Sequence, residues 1–193
     1  PIDEIPLLVQ HAFIAAEDQH FYEHPGVDVL GLASALRDAA GGAVMRGAST
    51  IPMQVMKNFL LDGSREVERK VKEMILAVRA VATLGRDHIL ELYLNEIFLG
   101  RNAYGIEAAA QAYFNKPASE LAVEEAAFLA GLPKAPSNYN PTTAYEASFA
   151  RRNYVLGEMA KNKYISRDQA RSLQTQPLVT TTKGVGNRHA DFG

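Results

Sequence analysis

The 193-residue sequence has no cysteine. That excludes a disulfide framework and thiolate metal sites, and it fits reducing and oxidising compartments equally well. There is no apolar run approaching the ~20 residues that cross a bilayer. There is little net charge: 20 Lys and Arg against 22 Asp and Glu leave −2 at pH 7. A near-neutral chain argues against a dedicated nucleic-acid binder, so no nucleic acid is expected as a partner. No signal peptide and no initiator methionine open the sequence, which starts at Pro1 and runs out in a Gly-containing tail at Gly193. The expectation is a piece of a longer protein.

What is present is ordinary for a globular chain. The sequence is 47% hydrophobic and long enough for one domain with a real core. No internal repeat and no linker divides it, so residues 1–193 read as a single domain.

Helical signals dominate. Ile5 to Ala16 is almost unbroken apolar sequence and reads as a buried helix ending near Glu17. Val29 to Ala40 reads as a weaker Ala-Leu helix, broken by Gly41-Gly42. Ser49-Thr50 before Pro52 is a helix start, with an expected stop near Leu61 to Gly63. Ser64 is expected to cap an amphipathic helix with Val67, Val71, Met74, Ile75, Val78 and Val81 on its apolar face. Asp87 is expected to cap the next helix, with Gly100 past its end. Ala103 to Phe114 and Val123 to Leu132 read as Ala-rich helices. Pro133, Pro136 and Pro141 make an extended loop. Thr143 with Glu146, and Ser166 with Gln169, read as capping boxes for two last helices. Leu178 to Thr182 looks like a strand.

Four stretches carry chemistry. Glu17-Asp18 closes the first apolar helix, followed by Phe21, His24 and a Pro-Gly stop. An acid at a helix C-terminus opposes the helix dipole, so it does not serve helix stability. At the end of an apolar face, burial can raise a carboxyl toward the working range of a general base. Gly47 to Gln54, followed by Lys57-Asn58, offers glycine, hydroxyls and free amides that suit an anion, but it is not a P-loop. Arg69, Lys70 and Glu73 stand at i,i+4 and i,i+3 spacing. By itself that is an exposed ion-pair ladder; functionally it is a carboxylate among cations that could receive a phosphate. Lys134 lies between two prolines in a stiff loop, where a surface lysine is the plain alternative.

In this order and spacing the stretches resemble the peptidoglycan glycosyltransferases of glycosyltransferase family 51, found in class A penicillin-binding proteins and monofunctional transglycosylases. Glu-Asp-x-x-Phe-x-x-His-x-Gly appears as Glu17 to Gly26, Gly-x-Ser-Thr-[Ile/Leu]-x-x-Gln as Gly47 to Gln54, and Arg-Lys-x-x-Glu as Arg69 to Glu73. Ile89 to Gly100 and Glu125 to Lys134 match a fourth and a fifth motif. The resemblance covers about residues 10–175. Pro52-Met53 replaces the commoner Thr-Gln, which questions any contact made by those two side chains.

The resemblance implies a mainly α, lysozyme-like fold with a larger head lobe and a smaller membrane-facing jaw lobe at roughly residues 29–61. It implies polymerisation of lipid II into β-1,4 glycan strands, with inversion and release of undecaprenyl diphosphate. Glu17 is then the general base, and Glu73 the donor-side acid that orders cations. Asp18, Phe21 and His24 hold the loop. Lys57, Arg65, Arg69 and Lys70, with Ser49, Thr50, Gln54 and Asn58, surround the diphosphate, and Lys134 reaches in from the opposite wall. A divalent cation, Mg²⁺ or Mn²⁺, is expected. So are a membrane-surface contact and a place on the outer face of the bacterial inner membrane. The Ser-x-x-Lys and Lys-Thr-Gly motifs of a transpeptidase domain are not in this sequence, so such a domain is expected only as a linked partner. Two other readings compete: a lysozyme-like glycoside hydrolase and a non-catalytic lipid-binding helical domain. The surplus of cations beside the acids favours a diphosphate leaving group over neutral glycan cleavage.

Overall fold

In a computed structural model the described residues are 1–40, 49–59 and 66–181. Among them the chain is mainly α, as expected: α1 Leu7–Glu17, α2 Val29–Ala40, α3 Ile51–Lys57, α4 Glu66–Leu84, α5 Arg86–Glu96, α6 Ile106–Phe114, α7 Val123–Gly131, α8 Tyr145–Lys161 and α9 Arg167–Thr175.

The core forms around α1. A helix that is almost wholly apolar has to be largely buried, and Val9, Ala12, Phe13, Ile14 and Ala15 are each at most 1% exposed. α1 packs on α7 and α8, and α8 packs in turn on α7 and α9. The alanines of α7, Ala126, Ala127 and Ala130, are fully buried. Small side chains there let α7 lie close to its neighbours. α3 lies against α4 and α5.

Several local expectations need correction. The strand expected at Leu178 to Thr182 is not found in its described part: residues 177–181 carry no regular structure, the Thr181 N–H donates to the Tyr113 carbonyl at 2.8 Å, and Thr182 lies outside the described residues. Asp87 does not cap α5; Gly85, with φ +81°, is the N-cap residue, and Asp87 instead accepts from the Tyr22 hydroxyl at 3.1 Å. Gly100 belongs to a hairpin turn closed by the Phe98–Tyr104 bridge, not to the end of α5. α6 accordingly starts at Ile106, after that hairpin. Thr143 does not cap α8, whose N-cap is Ala144 without a side-chain bond. Ser166 does cap α9, accepting from the Gln169 N–H at 3.0 Å. α3 ends at Lys57, earlier than Leu61; residues 60–65, with the expected stop and the Ser64 cap, lie outside the described residues.

The largest correction concerns α4. Of the six residues expected on its apolar face, Val67, Val71, Ile75 and Val78 face outward, at 77%, 49%, 49% and 39% exposure, whereas Val81 is buried and Met74 partly buried. The buried face carries Glu73, Ala77, Ala80 and Val81. The reason is Gly26. This residue, at φ +126°, lies so close to α4 that an added Cβ would sit 2.7 Å from the Ala77 carbonyl oxygen. Only a small-residue face of α4 accepts such an approach. The packed face is therefore the one with alanine and Glu73.

Candidate active site

One cleft of about 1200 Å³ is lined by Glu17, Asp18, Ser49, Thr50, Gln54, Lys57, Arg69, Lys70, Glu73 and Lys134. It brings together the first, second, third and fifth motifs. The two acids, 56 positions apart in sequence (73 − 17), share this cleft.

The local folding explains why. α1 stops at Asp18, which leaves helical geometry at φ −159° while its N–H still bonds the Ile14 carbonyl. Its buried carboxylate accepts from His24 Nε2 at 2.8 Å and from the Ile51 N–H at 2.9 Å. The Gly26 N–H donates to His24 Nδ1 at 3.0 Å. Nδ1 is thus the lone-pair nitrogen, and Nε2 carries the proton given to Asp18. The Thr50 hydroxyl donates to the Gly26 carbonyl at 2.6 Å and caps α3 by accepting from the Met53 N–H. Asp18, His24 and Thr50 therefore form a buried clasp between the loop after α1 and the start of α3. Gly26 presses the same loop onto Ala77, one helical turn beyond Glu73. Phe21 is fully buried and seats the loop in the core.

Glu17 lies at the mouth of this clasp with its side chain 12% exposed. Gln54 Nε2 donates to Oε2 at 3.1 Å, and Arg151 Nη2 stands 3.5 Å from Oε1. Burial pushes the carboxyl above its usual range, opposed by the Gln54 bond and by the charges of Arg151 and Lys134. Gln54, expected at the diphosphate, spends its amide on Glu17.

In the same cleft Glu73 is 3% exposed. Lys70 Nζ donates to its Oε2 at 2.8 Å and to Ser49 Oγ at 2.5 Å; Arg69 Nε is 3.9 Å from Oε1. An ammonium has three donors, so Lys70 keeps one for an incoming anion. Lys57 also faces the cleft, whereas Asn58 is exposed and does not line it. Arg65 lies outside the described residues, as do Gly47 and Ala48 of the second motif. The Pro52-Met53 departure is harmless to the geometry. Pro52 occupies the second position of α3, where a missing N–H costs no helical bond. Met53, 2% exposed, packs with Val27 and Ala77.

Arg151, Tyr139 and Tyr154 complete one wall, and none was singled out from the sequence. The available signal was the adjacent Arg151-Arg152 pair in α8.

With this geometry in view, comparison with known proteins is decisive. The family model described as Transglycosylase matches residues 1–160. The chain belongs to the transglycosylase family. Among its relatives, penicillin-binding protein 1A of Rickettsia felis is 48% identical over 183 residues, covering 93% of this chain and 23% of that protein. Penicillin-binding protein 1A of Escherichia coli is 47% identical over 178 residues, covering 92% and 21%. The crystal structure of penicillin-binding protein 1A from Haemophilus influenzae superposes with a TM-score of 0.56 at 29% identity, covering 94% of this chain and 18% of that one. The chain thus spans about a fifth of the length of these relatives, and is a peptidoglycan transglycosylase domain of the type that class A penicillin-binding proteins carry.

Proposed function

We propose that this transglycosylase polymerises lipid II, with Glu17 as general base. The observation that carries the reading is the shared cleft: it is lined by a desolvated carboxylate, Glu17, and by Lys57 together with Arg69 and Lys70, which flank Glu73. The acceptor sugar's 4-hydroxyl gives its proton to Glu17 as its oxygen bonds the donor's anomeric carbon. The bond from that carbon to the diphosphate oxygen breaks, and its electron pair leaves with undecaprenyl diphosphate. Attack from the face opposite the leaving group inverts an α link to β. Charge develops on the diphosphate, so preorganised donors there lower the barrier most. Lys70, held by Glu73 and Ser49, is such a donor. Glu73 is ill-placed as a second base, because its oxygens already face Lys70 and Arg69.

A divalent cation would have to be held largely by the substrate. No group of three or more His, Asp or Glu able to hold a metal occurs among the described residues, and Glu73 is occupied by cations. Mg²⁺ or Mn²⁺ would enter with the diphosphate and help neutralise it; no step above depends on it.

The lipid tail calls for a membrane surface. Val29, Leu30 and Phe59 are 65%, 83% and 69% exposed, and Leu30 also lines the cleft. These exposed apolar side chains support the reading of the 29–61 region as the membrane-facing lobe, of which 41–48 and 60–61 lie outside the described residues. No helix among the described residues is long and apolar enough to cross a membrane. We infer attachment at the outer face of the inner membrane, and a transpeptidase domain on the same polypeptide, from the much longer relatives.

Incubation with lipid II tests the reading. Glycan polymer with released undecaprenyl diphosphate is the expected product. Cleavage of mature glycan without polymer would instead make the protein a hydrolase.

A further inference from the structure

Arg151 is the cation nearest Glu17, and the fold immobilises it. Its Nε donates to the Gly131 carbonyl at 3.0 Å. Its guanidinium carbon lies 5.0 Å from the Tyr154 ring centre and 6.0 Å from that of Tyr139. The side chain is 11% exposed and lines the cleft. Gly131 itself makes room for it, since a Cβ there would stand 2.9 Å from Arg151 Cγ. Gly131 ends α7 and precedes the turn that carries Lys134. One guanidinium therefore ties together the base, the Lys134 turn and an aromatic wall.

We propose that Arg151 is a positioning residue for the general base: fixed by the Gly131 carbonyl and the two tyrosine rings, it holds the Glu17 carboxylate in the cleft as an anion. The proposal rests on the reading of Glu17 as base. A carboxylate that is nearly out of water needs a fixed counter-charge to remain a proton acceptor near neutral pH. The groups that face Glu17 are few. Gln54 comes from α3 and Lys134 from the turn after α7. Asp18 adjoins it in sequence and disfavours its charge. Tyr93 of α5, buried and pushed well above the usual phenol range by desolvation and by the two acids, stays neutral. Of the two cations, Arg151 acts on Glu17 more strongly than Lys134. It alone of the two forms a direct ion pair with it.

The test is the pH profile of lipid II polymerisation by Arg151→Gln and Arg151→Lys, with Arg79→Gln on exposed α4 surface as control. Loss of an adjacent opposite charge moves a carboxyl by about one unit or more. Arg151→Gln is expected to shift the acidic limb up by about one pH unit, an approximately tenfold loss below the limb, with the alkaline plateau kept within about threefold. Arg151→Lys is expected to shift the limb by a few tenths of a unit, because it keeps the charge but lacks the planar fork whose Nε holds Gly131 while Nη2 faces Glu17. Carbon-13 titration of the Glu17 carboxyl should show the same displacement without any turnover. A uniform loss at all pH values, with limb and titration unmoved, would overturn the proposal. Should Arg151→Gln not fold, Arg151→Lys decides alone, and no displacement in it counts against the idea. Polymerisation that survives Glu17→Gln would overturn the base assignment itself, whatever Arg151 does.

Discussion

Gly26→Ala is the sharpest structural perturbation of the cleft. The residue sits at φ +126°, and the new Cβ would meet the Ala77 carbonyl oxygen at 2.7 Å and the Val78 nitrogen at 2.8 Å. Both obstacles are helix backbone, which cannot swing aside as a side-chain tip can. Backbone strain of this kind costs about 1–3 kcal/mol, and forcing an extra carbon into a packed contact about 1–3 kcal/mol more. The sum is about 2–6 kcal/mol. For a domain of this size each kcal/mol lowers Tm by about 2–4 °C, so a fall of at least about 4 °C is expected by circular dichroism. Activity should fall further than stability does. The loop between Asp18 and Gly26 would lift from α4, and the Glu17 and Glu73 sides of the cleft would part. The readout is polymer formed per folded molecule, measured well below the variant's Tm. A Tm within about 1 °C of the parent's, with full activity, would refute the claim that Gly26 sets the spacing of the cleft.

Two further outcomes follow from the same geometry. Lys70→Met removes the cation that bridges Ser49 and Glu73; loss of a charged hydrogen bond of about 1.5–3 kcal/mol should lower kcat/KM for lipid II roughly ten- to hundredfold. The Asp28 carboxylate accepts from the Gly31 N–H at the start of α2 at 2.8 Å; Asp28→Asn keeps such an acceptor but removes the anion 3.0 Å from His20 Nδ1. The hydrogen bond to Asp28 raises the His20 pKa. The pair's small contribution is therefore full below the imidazole's unfolded pKa and lost as pH rises through the folded one. In the variant the proton NMR titration of His20 should move to lower pH; an unmoved midpoint would mean the pair does not form in solution.

The parts of the fold that could be read from sequence were those governed by local rules. α1 was legible because it is almost wholly apolar, and the starts of α3 and α9 because Thr50 and Ser166 use their own hydroxyls as caps. The parts that were misread depended on partners distant in sequence. Asp87 looked like a cap, but its carboxylate is taken by Tyr22. The apolar stripe of α4 looked like a core face, yet only Val81 and, in part, Met74 are buried. Periodicity identifies a stripe without saying what it meets, and the close approach of Gly26 selects the alanine face instead. Leu178 to Thr182 looked like a strand from its apolar and β-branched residues, yet the described residues 178–181 find no ladder partner. At the site, Glu17, Glu73 and their cations stood out through motif spacing. Arg151 did not, because its importance lies in a contact with Glu17 across 134 positions of chain (151 − 17).

The central claim is that Glu17 accepts the acceptor's proton. Its most direct test is the single-turnover rate of polymer formation by Glu17→Gln, measured alongside lipid II binding. Gln keeps the shape and can still bond Gln54, but it cannot take a proton. The account predicts a loss of about 10²–10⁴-fold with binding largely retained. A variant that keeps more than a few per cent of the parent's rate would contradict it.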